Sequence, residues 1–224
     1  MGISLRGATS GGIGMTASPQ TLTLPVTTNA GDCIIVASSA KNSLGHGCVI
    51  SGAGATWTHI WAGTNSNTNL YIGIGATAGN TTITATGGGT TNGNFLIAIF
   101  SGVLSLTSTA TAATGAGNTP VTTGALTGVT VGSLLVGDAD SFANFTGAGS
   151  WSSGDADAEF DKCTLNRYCW GSWAISSTTA NVTFTSPTPT GGNGTQACAA
   201  VLAPVAALPP SQMIGRAVRR ASDW

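Results

Sequence analysis

His46 and His59 are the only imidazoles in the chain, and with Cys48 they form its one grouping of zinc-ligand types. Zinc centres draw their ligands from close pairs. His46-x-Cys48 has no second pair, so the predicted state of these residues is an ordinary loop and strand. A histidine general base needs a nucleophile within hydrogen-bond reach. The chain carries no Gly-x-Ser-x-Gly elbow, no complete Gly-x-Gly-x-x-Gly fingerprint and no Walker sequence. Gly87-Gly88-Gly89 lacks a following helix that would cradle a phosphate. The expectation is a protein that is not an enzyme, with no cofactor.

The carboxylates are more concentrated. Six of the eight acidic residues fall between Asp138 and Asp161. Asp155, Asp157, Glu159 and Asp161 alternate, so one strand would hold all four on one side. Like charges so placed repel unless a cation or a basic partner meets them. Oxygen clusters of this kind suit calcium, although the spacing is not that of an EF-hand. A solvated face, with Ala156, Ala158 and Phe160 turned inward, is the plain alternative.

Five cysteines and six tryptophans remain. Cys33 and Cys198 sit in apolar runs, where a thiol behaves as a small hydrophobe. Cys163 and Cys169 are spaced to face each other across two strands, which leaves a bridge open. Tryptophans on a β-sheet can stack on sugar rings, so a carbohydrate-binding (lectin-like) module is a rival reading. Trp57 and Trp151 follow comparable strands in two halves of the chain, which predicts packed duplicates. The Asn-x-Ser/Thr triplets at Asn80, Asn144, Asn181 and Asn193 are expected by chance in a Thr-rich chain.

The elements that position these residues occur twice. Gly31-Asp32-Cys33-Ile34-Ile35-Val36 returns as Gly132-Ser133-Leu134-Leu135-Val136. Ile83-Thr84-Ala85-Thr86 returns as Val182-Thr183-Phe184-Thr185, and Phe95 to Phe100 as Ala197 to Leu202. A fixed internal period signals repeated architecture. Short β-branched runs bounded by Gly, Asn, Ser and Thr read as strands at regular spacing. Phe95 to Phe100 is apolar throughout, as a strand buried on both faces would be. The predicted fold is all-β: one antiparallel β-sandwich, jelly-roll or Ig-like, over residues 1–206. Its halves span about 1–104 and 121–206, joined by a long crossing loop or edge strand from Ser105 to Pro120. No segment before Ser211 has a helical period.

Residues 207–224 differ. Pro209 and Pro210 precede Ser211, a suitable helix cap. Met213, Ile214, Ala217 and Val218 then share one face, and Arg216, Arg219 and Arg220 take the rest. So short a helix gains its order by docking, which makes these seven residues the expected partner-binding surface. Charged residues make up 7% of the chain, against roughly 25% in an average domain. A net charge of −1 steers the chain to neither nucleic acid nor an anionic membrane. Residues 2–30 lack an apolar signal core, and no apolar run approaches the ~20 residues of a membrane span. Synthesis in a reducing cytoplasm, or export by another route, is expected.

The order of the pieces carries a resemblance. Leu5-Arg6-Gly7-Ala8-Thr9 leads through Thr21-Leu22-Thr23-Leu24-Pro25 into Ala30-Gly31-Asp32-Cys33-Ile34-Ile35-Val36. Thr56-Trp57-Thr58, Gly79-Asn80-Thr81-Thr82-Ile83-Thr84 and Ile99-Phe100-Ser101-Gly102-Val103 follow, and Ala200-Val201-Leu202-Ala203-Pro204-Val205 closes the second half. Over roughly residues 3 to 206 this resembles the β-sandwich virion structural proteins of tailed bacteriophages: capsid-decorating, head-fibre or minor tail proteins. The resemblance implies a non-enzymatic subunit located on the virion. Its partners would be other virion proteins and copies of itself, with a surface glycan as a further ligand. It supplies no catalytic residues.

Overall fold

The computed structural model describes residues 2–14, 18–40, 48–62, 68–87, 93–113, 119–141, 144–163, 168–191 and 194–206. Among these residues every regular element is a strand. The first nine are β1 (Ser4–Ala8), β2 (Ile13–Gly14), β3 (Gln20–Thr23), β4 (Asp32–Ala40), β5 (Val49–Ser51), β6 (Thr56–Trp61), β7 (Thr68–Ala76), β8 (Thr82–Thr86) and β9 (Gly93–Ser101). The next nine are β10 (Val103–Ala113), β11 (Leu134–Ser141), β12 (Phe145–Thr146), β13 (Ser150–Trp151), β14 (Ala158–Cys163), β15 (Tyr168–Ile175), β16 (Phe184–Thr185), β17 (Thr188–Pro189) and β18 (Thr195–Pro204). The proposed tail surface, from Met213 to Arg220, lies outside the described residues, as does His46.

The repeat in the sequence is a repeat in strand order. One long antiparallel sheet runs β1-β9-β4-β7-β6 and the other β10-β18-β11-β15-β14. Taken in chain order, the five strands of each sheet occupy the same places. The repeated strings fall on β4 and β11, on β8 and β16, and on β9 and β18. A small outer sheet, β3-β8-β5, backs the first half. Its counterpart is β13 paired with β16, extended by the bridges Thr122 to Thr185 and Leu126 to Val182.

The two long sheets pack face to face, with β7 against β11 and β4 against β15. Cys33, Ile35, Ala37, Leu96, Ala98 and Phe100 meet Leu134, Val136, Cys198, Ala200 and Leu202 in this central core. Phe100 and Trp173 join edge to face across it, ring centroids 5.4 Å apart. The alternate residues look the other way. Ile34, Val36, Ile97 and Ile99 pack under the first small sheet, and Leu135, Ala199 and Val201 under the second. Strand side chains alternate between faces, so a strand buried on both sides must be apolar at every position. That is why Phe95 to Phe100 and Ala197 to Leu202 are unbroken apolar runs.

The architecture differs from a two-layer sandwich in having four layers, small, long, long and small. Of the two options for the segment from Ser105, crossing loop or edge strand, the structure has an edge strand up to Ala113. Val103–Ala113 is an edge strand of the second long sheet, so one residue, Gly102, carries the chain from β9 to β10. Gly102 has φ 79°, and a Cβ there would lie 2.7 Å from the Gly2 carbonyl oxygen. Both facts require glycine. Trp57 and Trp151 are not duplicates. Trp57 belongs to edge strand β6 of a long sheet, and Trp151 to β13 of a small one.

Each outer core seats a large aromatic ring on a strand glycine. Trp57 covers Gly73 and Phe184 covers Gly137, each 2.9 Å from where a Cβ would stand. Phe184 is fully buried and held by Trp151, at a centroid distance of 4.9 Å, so its ring has little freedom to retreat. Overpacking of this kind costs roughly 1–3 kcal/mol. Gly137→Ala should therefore lower the urea midpoint at unchanged slope. Gly14→Ala, where a Cβ meets nothing within 4 Å, should change it little. Equal midpoints for the two variants would show that the Phe184 ring can move aside.

Candidate functional site

The central core is apolar along most of its length and polar at one end. The C-terminal ends of β4 and β11 and the N-terminal ends of β7, β9 and β18 meet there. Ser39, Thr68, Asn94, Asp138 and Asp140 are buried on the side of the central core, and Ser38, Asn69, Ser141 and Thr195, also buried, alternate with them toward the outer layers. The Cys198 thiol reaches across the two sheets to the carbonyls of Thr68 (3.7 Å) and Ile60 (3.8 Å). Both halves therefore bring this polar end to the same place.

Asp138 is its most unusual member. It pairs in register with Cys198 on one side and Gly171 on the other, and it is fully buried. The Cys169 thiol donates to its Oδ1 at 3.4 Å, while Oδ2 accepts no hydrogen bond among the described residues. Burial first, and then the neighbouring Asp140 carboxyl, push the Asp138 acid well above the ordinary carboxylate range. Hydrogen bonds from Cys169 and from the Ser38 and Ala139 backbone oppose the shift without cancelling it. An isolated buried carboxylate is far costlier than a neutral acid, so burial favours the protonated form of Asp138. In the other half the equivalent position is Ala37, by the 101-residue offset of Gly31 and Gly132.

The thiols around it are equally quiet. Burial raises Cys33, Cys48 and Cys198, and Asp32 and Asp138 add to the effect at Cys33 and Cys198. A raised thiol is the opposite of an activated nucleophile. Cys163 and Cys169 are direct register partners on β14 and β15. Cys169 is nevertheless a free thiol, engaged with Asp138.

Cys48 and His59, the described members of the zinc-type grouping, do not converge. Tyr71 stands between Cys48 and His59. Its ring stacks on the imidazole (4.3 Å, 9°), and its hydroxyl donates to the Cys48 carbonyl at 2.5 Å. His59 Nε2 instead meets Asn69 Oδ1 at 2.9 Å. Trp61 follows on the same side of β6, 5.2 Å from His59 and 48% exposed. Trp57 and Trp173 are partly buried, and Trp151 and Trp170 are buried. Trp61 is thus the one exposed indole among the described residues.

The acidic run is not one face of one strand. Asp155 and Asp157 precede β14 and take separate partners. Both carboxylate oxygens of Asp155 accept from the Ser177 amide, at 3.1 and 3.2 Å. Its slight burial is outweighed by the hydrogen bonds of Ser177 and Ser153, and the acid sits below its usual range. Asp157 is half-buried and accepts from the Trp151 indole at 3.0 Å. There burial prevails over the bonds from Ser172, Trp151 and Trp170, and its acid is raised. Ala156, expected inward, is exposed. The pairing of β14 with β15 breaks step between Glu159 and Asp161, which interrupts the two-residue period. Among the described residues no group of three or more His, Cys, Asp and Glu is arranged to hold a metal ion.

One ion pair has a clear structural task. Arg6 Nη1 bonds Asp32 Oδ2, which also accepts from the Asn29 amide at 2.7 Å. A second Arg6 nitrogen reaches the Thr27 carbonyl at 3.3 Å. The pair ties edge strand β1 to the turn entering β4.

No protein-family model matches the chain, and neither a curated protein nor a solved structure shows significant similarity to it.

The Asp138 acid sets a sign for pH dependence. An unfolded chain loses this proton near pH 4, whereas the folded chain keeps it well beyond. Above pH 4 the folded state then binds more protons, so this group's contribution to stability falls as pH rises toward its folded pKa. Asp138→Asn removes the titration. Its stability relative to the wild type should grow between pH 4 and pH 8, by ~1.4 kcal/mol for each unit that the folded pKa is raised. Paired urea melts measure this. A difference that is flat with pH would mean that Asp138 ionises normally.

Proposed function

We propose that this protein is a non-enzymatic structural subunit of a tailed-bacteriophage virion, a capsid-decorating or tail accessory protein on the particle surface. The observation that carries the reading is the doubled scaffold itself. Two long sheets use both faces for packing, and the thiols and the Asp138 acid inside them are held protonated. Such an interior serves rigidity rather than turnover. A chain with 7% charged residues suits a neighbour-covered position better than free solution. The resemblance of residues 3 to 206 to virion β-sandwich proteins supports the same reading. Under it, the two halves together form one jelly-roll or Ig-like β-sandwich, made in the host cytoplasm and added to the particle. The surface formed by Met213, Ile214, Arg216, Ala217, Val218, Arg219 and Arg220 is its attachment to a neighbouring virion protein.

Particle reconstruction tests this. Wild-type chain should appear as ordered density on virions, and a chain lacking 211–224 should fold but be lost from them. Retention at full occupancy would remove the tail from the mechanism, and absence of the wild-type chain from particles would remove the reading.

Trp61 favours a second reading, a carbohydrate-binding module, free or as a phage host-recognition protein. A half-exposed indole flanked by His59 and Asn69 offers a stacking surface to a sugar ring. Binding on a glycan array that Trp61→Ala reduces about tenfold or more would support it, at the ~1.4 kcal/mol that a tenfold change represents. An array with no hits would set it aside.

A further inference from the structure

The four outer edges of the two long sheets are not alike. An unpaired edge is a template for another strand, and proteins blunt it with brevity, charge, proline or bulges. β1 has five residues, carries Arg6 and shifts register between Leu5 and Gly7. β6 has six residues, and Trp57, His59 and Trp61 fill three of them with bulky rings. β14 has six, includes Glu159, Asp161 and Lys162, and contains a register shift. β10 is the exception. It is the longest strand, eleven residues of Val, Leu, Ser, Thr and Ala with no charge and no proline. Its two register shifts lie before Ser108. From Ser108 to Ala113 it pairs with β18 without a break, and no described strand pairs with its other edge. Leu104, 58% exposed, and Val205, 43% exposed, flank its start.

We propose that the β10 edge is a self-association surface, on which residues 108–113 of two copies pair antiparallel about a twofold axis and join their long sheets into one. This rests on the structural-subunit reading and names a partner for it, a second copy of this chain. Identical antiparallel strands bring Ser, Thr and Ala opposite one another, so no like charges face and no bulky side chains collide. The net charge of −1 adds almost no repulsion between copies. Ala110 and Ala112 pack on the outer core and the Ser108 hydroxyl meets the Thr127 backbone, while Thr109, Thr111 and Ala113 are exposed. A contact of this length sits at the small end of specific interfaces, so association belongs in the micromolar range.

Sedimentation of the full chain across about 1 to 100 µM should show a monomer–dimer equilibrium. Thr109→Lys with Thr111→Lys places charges on exposed positions of the edge. It should raise the dissociation constant at least tenfold, with melting temperature nearly unchanged. Hydrogen exchange supplies a measurement that needs no variant: amides in 108–113 should gain protection as concentration rises. A wild-type chain that stays monomeric overturns the proposal. So does protection of 108–113 that is independent of concentration, which would place another segment of the same chain on the edge. A dimer unaffected by the lysines would move the interface elsewhere and also overturn it. The outcomes separate from those of the structural reading. A monomer that still decorates particles refutes only the edge, whereas a dimer absent from particles refutes only the virion role.

Discussion

Burial of both faces of two long sheets is the constraint on which this molecule depends. Each buried Ile, Leu, Val or Phe contributes on the order of 1.5–3 kcal/mol, and a sheet covered on both sides doubles the positions that do so. The central core joins the halves, and the outer cores hold a small sheet against each. Without the central core each long sheet would expose one apolar face. The halves are thus bound to each other by the same physics that folds each of them. The single residue Gly102 between β9 and β10 keeps them in immediate contact along the chain.

The polar end of the central core shows what this constraint tolerates. Asp138 lies where the apolar first half of β11 gives way to Asp140 and Ser141, at a place where the first half of the chain has Ala37. Burial favours its neutral form, and what faces it is a thiol donor rather than a counter-charge. The halves therefore agree in fold and differ in chemistry at equivalent positions. That asymmetry is where a role specific to one half would be sought. Trp61 is a second such difference, on β6 of the first half, next to His59 and Asn69.

Edges matter because faces are fully used. With both faces of the inner strands of each long sheet covered, lateral growth is the main route that remains to the two sheets. β1 and β14 are charged and irregular, β6 carries two tryptophans and a histidine in its six residues, and β10 is the longest edge, with neither charge nor bulky side chain over its last six residues. On the proposed reading, such a scaffold would meet its neighbours through strand edges. That agrees with a low-charge chain placed among other subunits.

The amino-acid sequence by itself determined the all-β class, the duplication and the strands that carry it, because a two-residue period and a fixed offset are local properties. The unbroken run from Phe95 to Phe100 also declared burial on both faces. Which strand neighbours which was not legible, and so β10 read as a loop or an edge and the four layers as two. Asp155, Asp157, Glu159 and Asp161 looked like one acidic face because alternation was extended through a register break that only pairing with β15 reveals. Asp138 and Asp140 were visible as charges. Their burial follows from the opposing sheet, which lies about a hundred residues away in sequence. Tertiary structure decided protonation, exposure and free edges, because each depends on what stands across a sheet or beyond its last strand.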